Sequence, residues 1–126
     1  MRSPTRVTLT VTADAHLARL VRMTAANVAM LSSMSVDRVE DVKMAAEEAF
    51  IYACSAAPGS ELAIGFEADE KQVGMRFVLD APAFPVAEED GDPAQDYADL
   101  LIGAVCDSYE KLESPATLAM SLKADI

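Results

Sequence analysis

Glu48 and Tyr52 stand four residues apart in a stretch, 39–53, whose apolar spacing is helical, so their side chains share one helix face. A carboxylate there can serve as a general base or simply be a solvated helix acid. Asp80 follows an alternating apolar segment and, by residue type alone, is an acid that terminates a strand. The single histidine, His16, and the two cysteines, Cys54 and Cys106, form no Cys-x-x-Cys spacing. They offer too few local nitrogen and sulfur ligands for zinc, and no metal is expected. Both cysteines sit in apolar helical stretches and read as small buried hydrophobes, with a disulfide left open.

Charge narrows the partners. The 21 acidic side chains outnumber the 10 basic ones, for a net charge of −11, a field that repels a phosphate backbone, so nucleic acid is not an expected partner. Such a surface suits steering toward a basic protein, and it equally suits plain solubility. A length of 126 residues fits one domain, 1–126. The longest apolar stretches, such as 49–54, are far too short to cross a bilayer, so no membrane partner is expected. Arg2 and Arg6 precede a segment that alternates Val, Thr and Leu and never becomes the continuous apolar run of a signal peptide, which predicts a cytoplasmic protein.

The elements that must position these groups follow from periodicity. Val7, Leu9 and Val11 alternate with threonines and predict a strand over 6–12. Asp14 can cap a helix running to about Ser32, with Leu17, Leu20, Val21, Val28 and Leu31 as its buried stripe. Ser35 or Asp37 opens a second helix, with Val39, Val42, Ala46, Ala49, Phe50 and Ala53 inward, ended by Pro58 and Gly59. Alternation over 62–66 and 73–79 about a polar turn predicts a hairpin. Three prolines and four acids make 81–93 a loop. Asp92 and Pro93 then suit the start of a third helix, with Tyr97, Leu100, Leu101, Ala104 and Val105 as its apolar face. Two short strands, near 108–112 and 116–122, complete the order β-α-α-β-β-α-β-β. Strands in adjacent pairs and helices on one face predict an α+β, two-layer sandwich with a mixed, mostly antiparallel sheet covered by three helices.

The second helix carries Val39-Glu40-Asp41-Val42-Lys43-Met44-Ala45-Ala46-Glu47-Glu48-Ala49-Phe50-Ile51-Tyr52-Ala53. It resembles the corresponding helix of the anti-sigma-factor serine/threonine kinases, a branch of the Bergerat-type ATPases that include histidine kinases, gyrase and Hsp90. That helix reads Glu-Asp-hydrophobic-Lys and then Glu-Ala-x-x-Asn-Ala, and Glu48 and Ala49 match. The resemblance runs from Val7 onward. It implies that Glu48 is the general base and that the magnesium-holding asparagine is replaced by Tyr52, a bulky phenol that coordinates weakly. The family's Asp-x-Gly-x-Gly box aligns with Asp80-Ala81-Pro82-Ala83-Phe84. The resemblance makes Asp80 the adenine contact, while Pro82 and Phe84 stand in place of glycines that let the backbone approach the nucleotide. The glycine-rich phosphate turn has no counterpart, and Glu88, Glu89, Asp90 and Asp92 put like charge where a triphosphate would lie.

The resemblance therefore implies a degenerate kinase fold without ATP or magnesium as cofactors. It would act by binding a sigma factor or an anti-anti-sigma protein in partner-switching control of transcription, and form a homodimer. Two other readings stay open: an active serine/threonine kinase using Glu48 and Asp80, and a structural or oligomerisation domain.

Overall fold

Five short alternating segments give the sheet its two faces. In the computed structural model, which describes residues 3–84 and 93–126, β1 (Thr5–Thr12) turns Val7, Leu9 and Val11 toward the core. The hairpin of β2 (Glu61–Ala68) and β3 (Gln72–Leu79) buries every second residue, with Leu62, Ile64, Phe66, Val73, Met75 and Phe77 almost fully enclosed. β4 (Ser108–Leu112) and β5 (Thr117–Lys123) form a second hairpin, with Leu118, Met120 and Leu122 inward. Ile64 pairs with Phe77 and Phe77 with Leu118, so one apolar row crosses three central strands. Each such side chain contributes about 1.5–3 kcal/mol by leaving water.

Three helices cover that face. Asp14 accepts a hydrogen bond from the His16 amide at 2.9 Å and starts a 3-10 turn, Ala15–Leu17, that leads into α1 (Ala18–Ala29). Ser35 caps α2 (Val36–Ala56) through the Arg38 amide at 3.2 Å, and the chain leaves α2 through Gly59, whose φ of +74° is left-handed. α3 spans Pro93–Val105. α2 lies in the middle of the layer, packed against both α1 and α3. Its buried face is rich in alanine, Ala45, Ala46, Ala49 and Ala53, which lets neighbours approach closely.

The strand order is β1-β2-β3-β5-β4, and every neighbouring pair is antiparallel. The mixed sheet predicted from sequence is corrected on this point. Two helices, not one, join β1 to β2, so the chain re-enters the sheet at the end where β1 leaves it, with Thr12 beside Glu61, and pairs antiparallel. β3 and β4, joined by the single helix α3, run parallel to each other, but β5 is inserted between them. Two predicted helix faces also shift. In α1, Val21, Ala25, Val28 and Ala29 are buried while Leu20 and Leu31 are exposed; in α3, Ala98 and Ile102 are buried while Tyr97 and Leu100 face solvent. Cys54 and Cys106 are half-buried free thiols instead of fully buried. Of the predicted loop 81–93, residues 85–92 lie outside the described residues. Among the described residues no helix is long and apolar enough to cross a membrane.

The layers are joined at one corner by Arg38. Its side chain is only 16% exposed and makes four hydrogen bonds: Nε to the Lys123 carbonyl at 2.8 Å, Nη1 to the Val105 carbonyl at 2.9 Å and to Asp41 at 3.1 Å, and Nη2 to Asp107 at 2.6 Å. Asp107 also accepts the Lys123 amide at 2.6 Å. The first turn of α2, the end of α3 and the ends of the β4–β5 hairpin thus share one cation. Replacing Arg38 by Ala leaves two carboxylates and two carbonyls short of a donor and is expected to cost about 3 kcal/mol in urea unfolding. Arg38→Lys, lacking the planar fork, should recover less than half of that loss.

Candidate functional site

Alternation in β4 puts Tyr109 and Lys111 on the helix-facing side, where Lys111 pairs with Leu118 and Tyr109 with Met120. β4 is an edge strand, and there the inner face carries a phenol and an ammonium beside the apolar core. Lys111 reaches α2 and α3 together. Its Nζ donates to the Asp99 carboxylate and to Tyr52 Oη at 3.3 Å, and it lies 4.8 Å from the centre of the Tyr52 ring and 5.8 Å from that of Phe84. Tyr52, buried on α2, meets Phe84 edge to face with ring centroids 5.8 Å apart. Tyr109 donates to the other Asp99 oxygen at 2.6 Å.

The segment after β3 is held in place by backbone bonds. The Ala116 amide donates to the Ala81 carbonyl and the Ser114 amide to the Pro82 carbonyl, each at 2.8 Å, which stitches 81–82 to the β4–β5 turn. Phe84 follows two residues later and packs against the core. One turn further along α2, Gln95 of α3 donates to the Ser55 hydroxyl at 3.0 Å.

Of the residues singled out from sequence, the fold brings Tyr52 and Phe84 into contact and uses Pro82 through its carbonyl. Glu48 and Asp80 do not join the hydrogen bonds and ring contacts of this cluster. Asp80 is exposed just beyond β3. Glu48 is half-buried on α2 with no hydrogen-bond or ion-pair partner among the described residues; burial, and then the neighbouring Glu47, raise its carboxyl above the ordinary range. Lys111, Asp99 and Tyr109 were not expected in the site. Their one sequence signal is the alternation of Tyr109 and Lys111 between Ser108, Glu110 and Leu112.

Four titratable groups in and near the cluster are shifted from their ordinary ranges. Burial alone would lower the Lys111 ammonium, but its hydrogen bonds to Asp99 and Tyr52 outweigh that and raise it above the usual lysine range. Burial, with the Asp99 hydrogen bond, pushes the Tyr109 phenol well above the usual tyrosine range. Burial also raises the Cys54 thiol to about 11 and the Cys106 thiol to about 12, so neither is a nucleophile at neutral pH. Among the described residues no three histidine, cysteine or acidic side chains gather as a metal site. The arrangement is suited to filling and bracing the space between α2, α3 and β4.

No protein-family model matches the chain, and no curated protein is significantly similar to it. Its function therefore rests on the residues themselves.

Two titrations follow. A raised folded-state pKa stabilises the fold fully below the unfolded value and loses that contribution as pH rises toward the folded one. For Lys111 and Tyr109, stability should fall as pH rises beyond about 10, and Tyr109→Phe should flatten that alkaline loss in urea unfolding. The same sign for Glu48 means that its ionised form opposes folding at neutral pH. Glu48→Gln should raise the melting temperature at pH 7, with a gain in unfolding free energy below about 1 kcal/mol because much of the carboxylate is solvated.

Proposed function

We propose that this chain is an anti-sigma-factor-like regulatory domain, built on the Bergerat-type ATPase scaffold, that acts by binding a protein partner and not by transferring phosphate. The observation that carries this reading is the contact of Tyr52 with Phe84 beneath Lys111. In the resemblance, the position of Tyr52 belongs to the magnesium ligand and that of Phe84 to a glycine of the adenine box. Here both are aromatic rings packed on each other, and the phenol oxygen already accepts from an ammonium. A metal would have to displace that ammonium and bind a neutral phenol, so these residues do not fit magnesium ATP.

Further support comes from the retained layers: a five-stranded sheet under three helices, with the apolar stripes of α2 and the central strands intact. Packing can keep a scaffold after its chemistry is lost. The net charge of −11 favours a partner with a basic surface, here a sigma factor or an anti-anti-sigma protein, bound by a homodimer in the cytoplasm. Isothermal titration with magnesium ATP should give no binding heat at about 1 mM nucleotide, the weak end of the ordinary affinity scale. Micromolar binding by the unaltered chain, or phosphate transfer that Glu48→Gln abolishes, would overturn the proposal.

A further inference from the structure

The two edges of the sheet are guarded unequally. β4 is only five residues long and carries Glu110 and Lys111, whereas β1 runs for eight residues beside β2 without a bulge, from Thr5 opposite Ala68 to Thr12 opposite Glu61. β1 holds no lysine or proline, and its single charge, Arg6, is matched by Glu67 of β2 at 3.2 Å. Long, flat edges of this kind are templates for another strand, which is why most folds blunt them. The free row of peptide groups can be assigned. The Ala13 amide donates to the Ser60 carbonyl at 2.8 Å, one step beyond the Thr12–Glu61 pair. Bonded positions in an antiparallel ladder recur at every second residue, so Val7, Leu9 and Val11 turn their peptide groups toward β2, while Arg6, Thr8 and Thr10 turn theirs outward. Among the described residues nothing pairs with that outward row, and at its end the Thr12 carbonyl is taken by the Asp14 amide at 2.8 Å.

The side chains above that row are apolar and only partly covered. α1 lies over β2 and α2 over β3, so among the described residues no helix stands beyond β1. Val7, Leu9 and Val11 are half-buried, whereas Leu62, Ile64 and Phe66 beside them on β2 are almost fully enclosed. On α1, Arg22 reaches across to Glu47 of α2 at 3.4 Å. At about 100° per residue Leu20 and Thr24 fall on the opposite side of the helix, above the β1 margin, and Leu20 is 48% exposed. The far end of α1 is tied to the β2–β3 turn by the Ser33 amide on the Glu70 carbonyl at 3.0 Å, which brings Leu31, 50% exposed, to the Val7 end of β1. The margin is an apolar shelf over a row of unpaired peptide groups.

We infer that β1 receives an extended segment of another protein as an added antiparallel strand, held by the peptide groups of Arg6, Thr8 and Thr10, with alternate apolar side chains seated on the shelf of Val7, Leu9, Val11 and Leu20. The unpaired row selects an extended chain over a helix. The period of two then sets the pattern of the segment: apolar residues toward α1, and hydroxyl-bearing residues opposite the threonines of the outer face. Charge selects further. Glu61, beside Thr12 on the outer face, has no ion-pair partner among the described residues, and the chain carries a net −11, so the segment has a basic residue at the Thr12 end. Strand addition here requires neither the ATPase scaffold nor a partner from transcription, so it stands or falls apart from the proposed function.

The probe is a synthetic peptide of alternating valine and threonine, as long as β1 and with lysine at both ends, titrated against the full chain by fluorescence anisotropy. It should bind saturably with a Kd of about 100 µM or tighter. In antiparallel pairing the threonine amides of the peptide face β1 and the valine amides face away. N-methylation of the threonines should therefore weaken binding by roughly tenfold or more, and N-methylation of the valines should not, a comparison that needs no variant of the chain. Thr8→Pro removes an outward donor while sparing the β1–β2 ladder, and should weaken binding about tenfold with urea unfolding little changed. Glu61→Lys should weaken it several-fold. In hydrogen exchange followed by NMR, the amides of Arg6, Thr8 and Thr10 should exchange freely in the chain alone and slow by roughly tenfold or more with the peptide, while those of Val7, Leu9 and Val11 stay slow throughout. No saturable binding up to about 1 mM, or binding indifferent to N-methylated threonines, overturns the inference. So does protection of the Arg6, Thr8 and Thr10 amides without peptide, as pairing of β1 between two copies would produce.

Discussion

One guanidinium decides how the helical layer sits on the second hairpin. Arg38 reaches from the first turn of α2 to the last carbonyl of α3, to Asp107 before β4 and to the carbonyl that ends β5. Taking a guanidinium largely out of water is costly unless its donors are met, and here four acceptors from four places meet them. The consequence runs along the strand. Asp107, Tyr109 and Lys111 alternate, so fixing Asp107 under Arg38 fixes which face of β4 the phenol and the ammonium take. The tail reinforces the same corner: Asp125 accepts from the Ser35 amide at 2.8 Å, and the Ile126 amide donates to the Ser33 carbonyl at 3.1 Å.

The Lys111 cluster is the product of that placement. An edge strand with a lysine on its inner face ordinarily resists pairing with foreign strands. In this chain the lysine is instead folded back over two rings and held by Asp99. Removing water from the ammonium and the phenols is offset by charge-assisted hydrogen bonding and ring contact, so the region is braced. Chemistry and bracing make opposite demands of such a place: the first needs room and a movable proton, the second needs neither.

Much of the fold was legible because the strands obey period two strictly. Leu62, Ile64 and Phe66, and then Val73, Met75 and Phe77, announce their buried face residue by residue. The helices were less clear. In α1, alanines at 25 and 29 do the packing that larger side chains at 20 and 31 advertised, because close approach of α2 leaves room only for small groups. In α3, apolar residues lie on nearly every side, so the pattern did not select Ala98 and Ile102. Tyr52 and Phe84 were visible as individual departures from a motif, but their contact was not. Lys111 is 59 residues from Tyr52, and no local pattern joins them. Arg38 was likewise silent, since two of its four acceptors are backbone carbonyls that any residue supplies.

The insertion of β5 between β3 and β4 has a kinetic consequence. As the chain emerges from a ribosome, β1, β2 and β3 can pair with one another, but the side of β3 that β5 will cover stays open until the following 40 residues or so have appeared. β4 arrives with no neighbour and can join the sheet only through the strand that follows it. During that interval an apolar strand edge, with Val73, Met75 and Phe77 on it, is exposed to whatever is nearby. The order of synthesis thus makes closure of the sheet the latest event in this fold, and the interval before it the time when the chain is most open to capture by a chaperone or by another copy of itself.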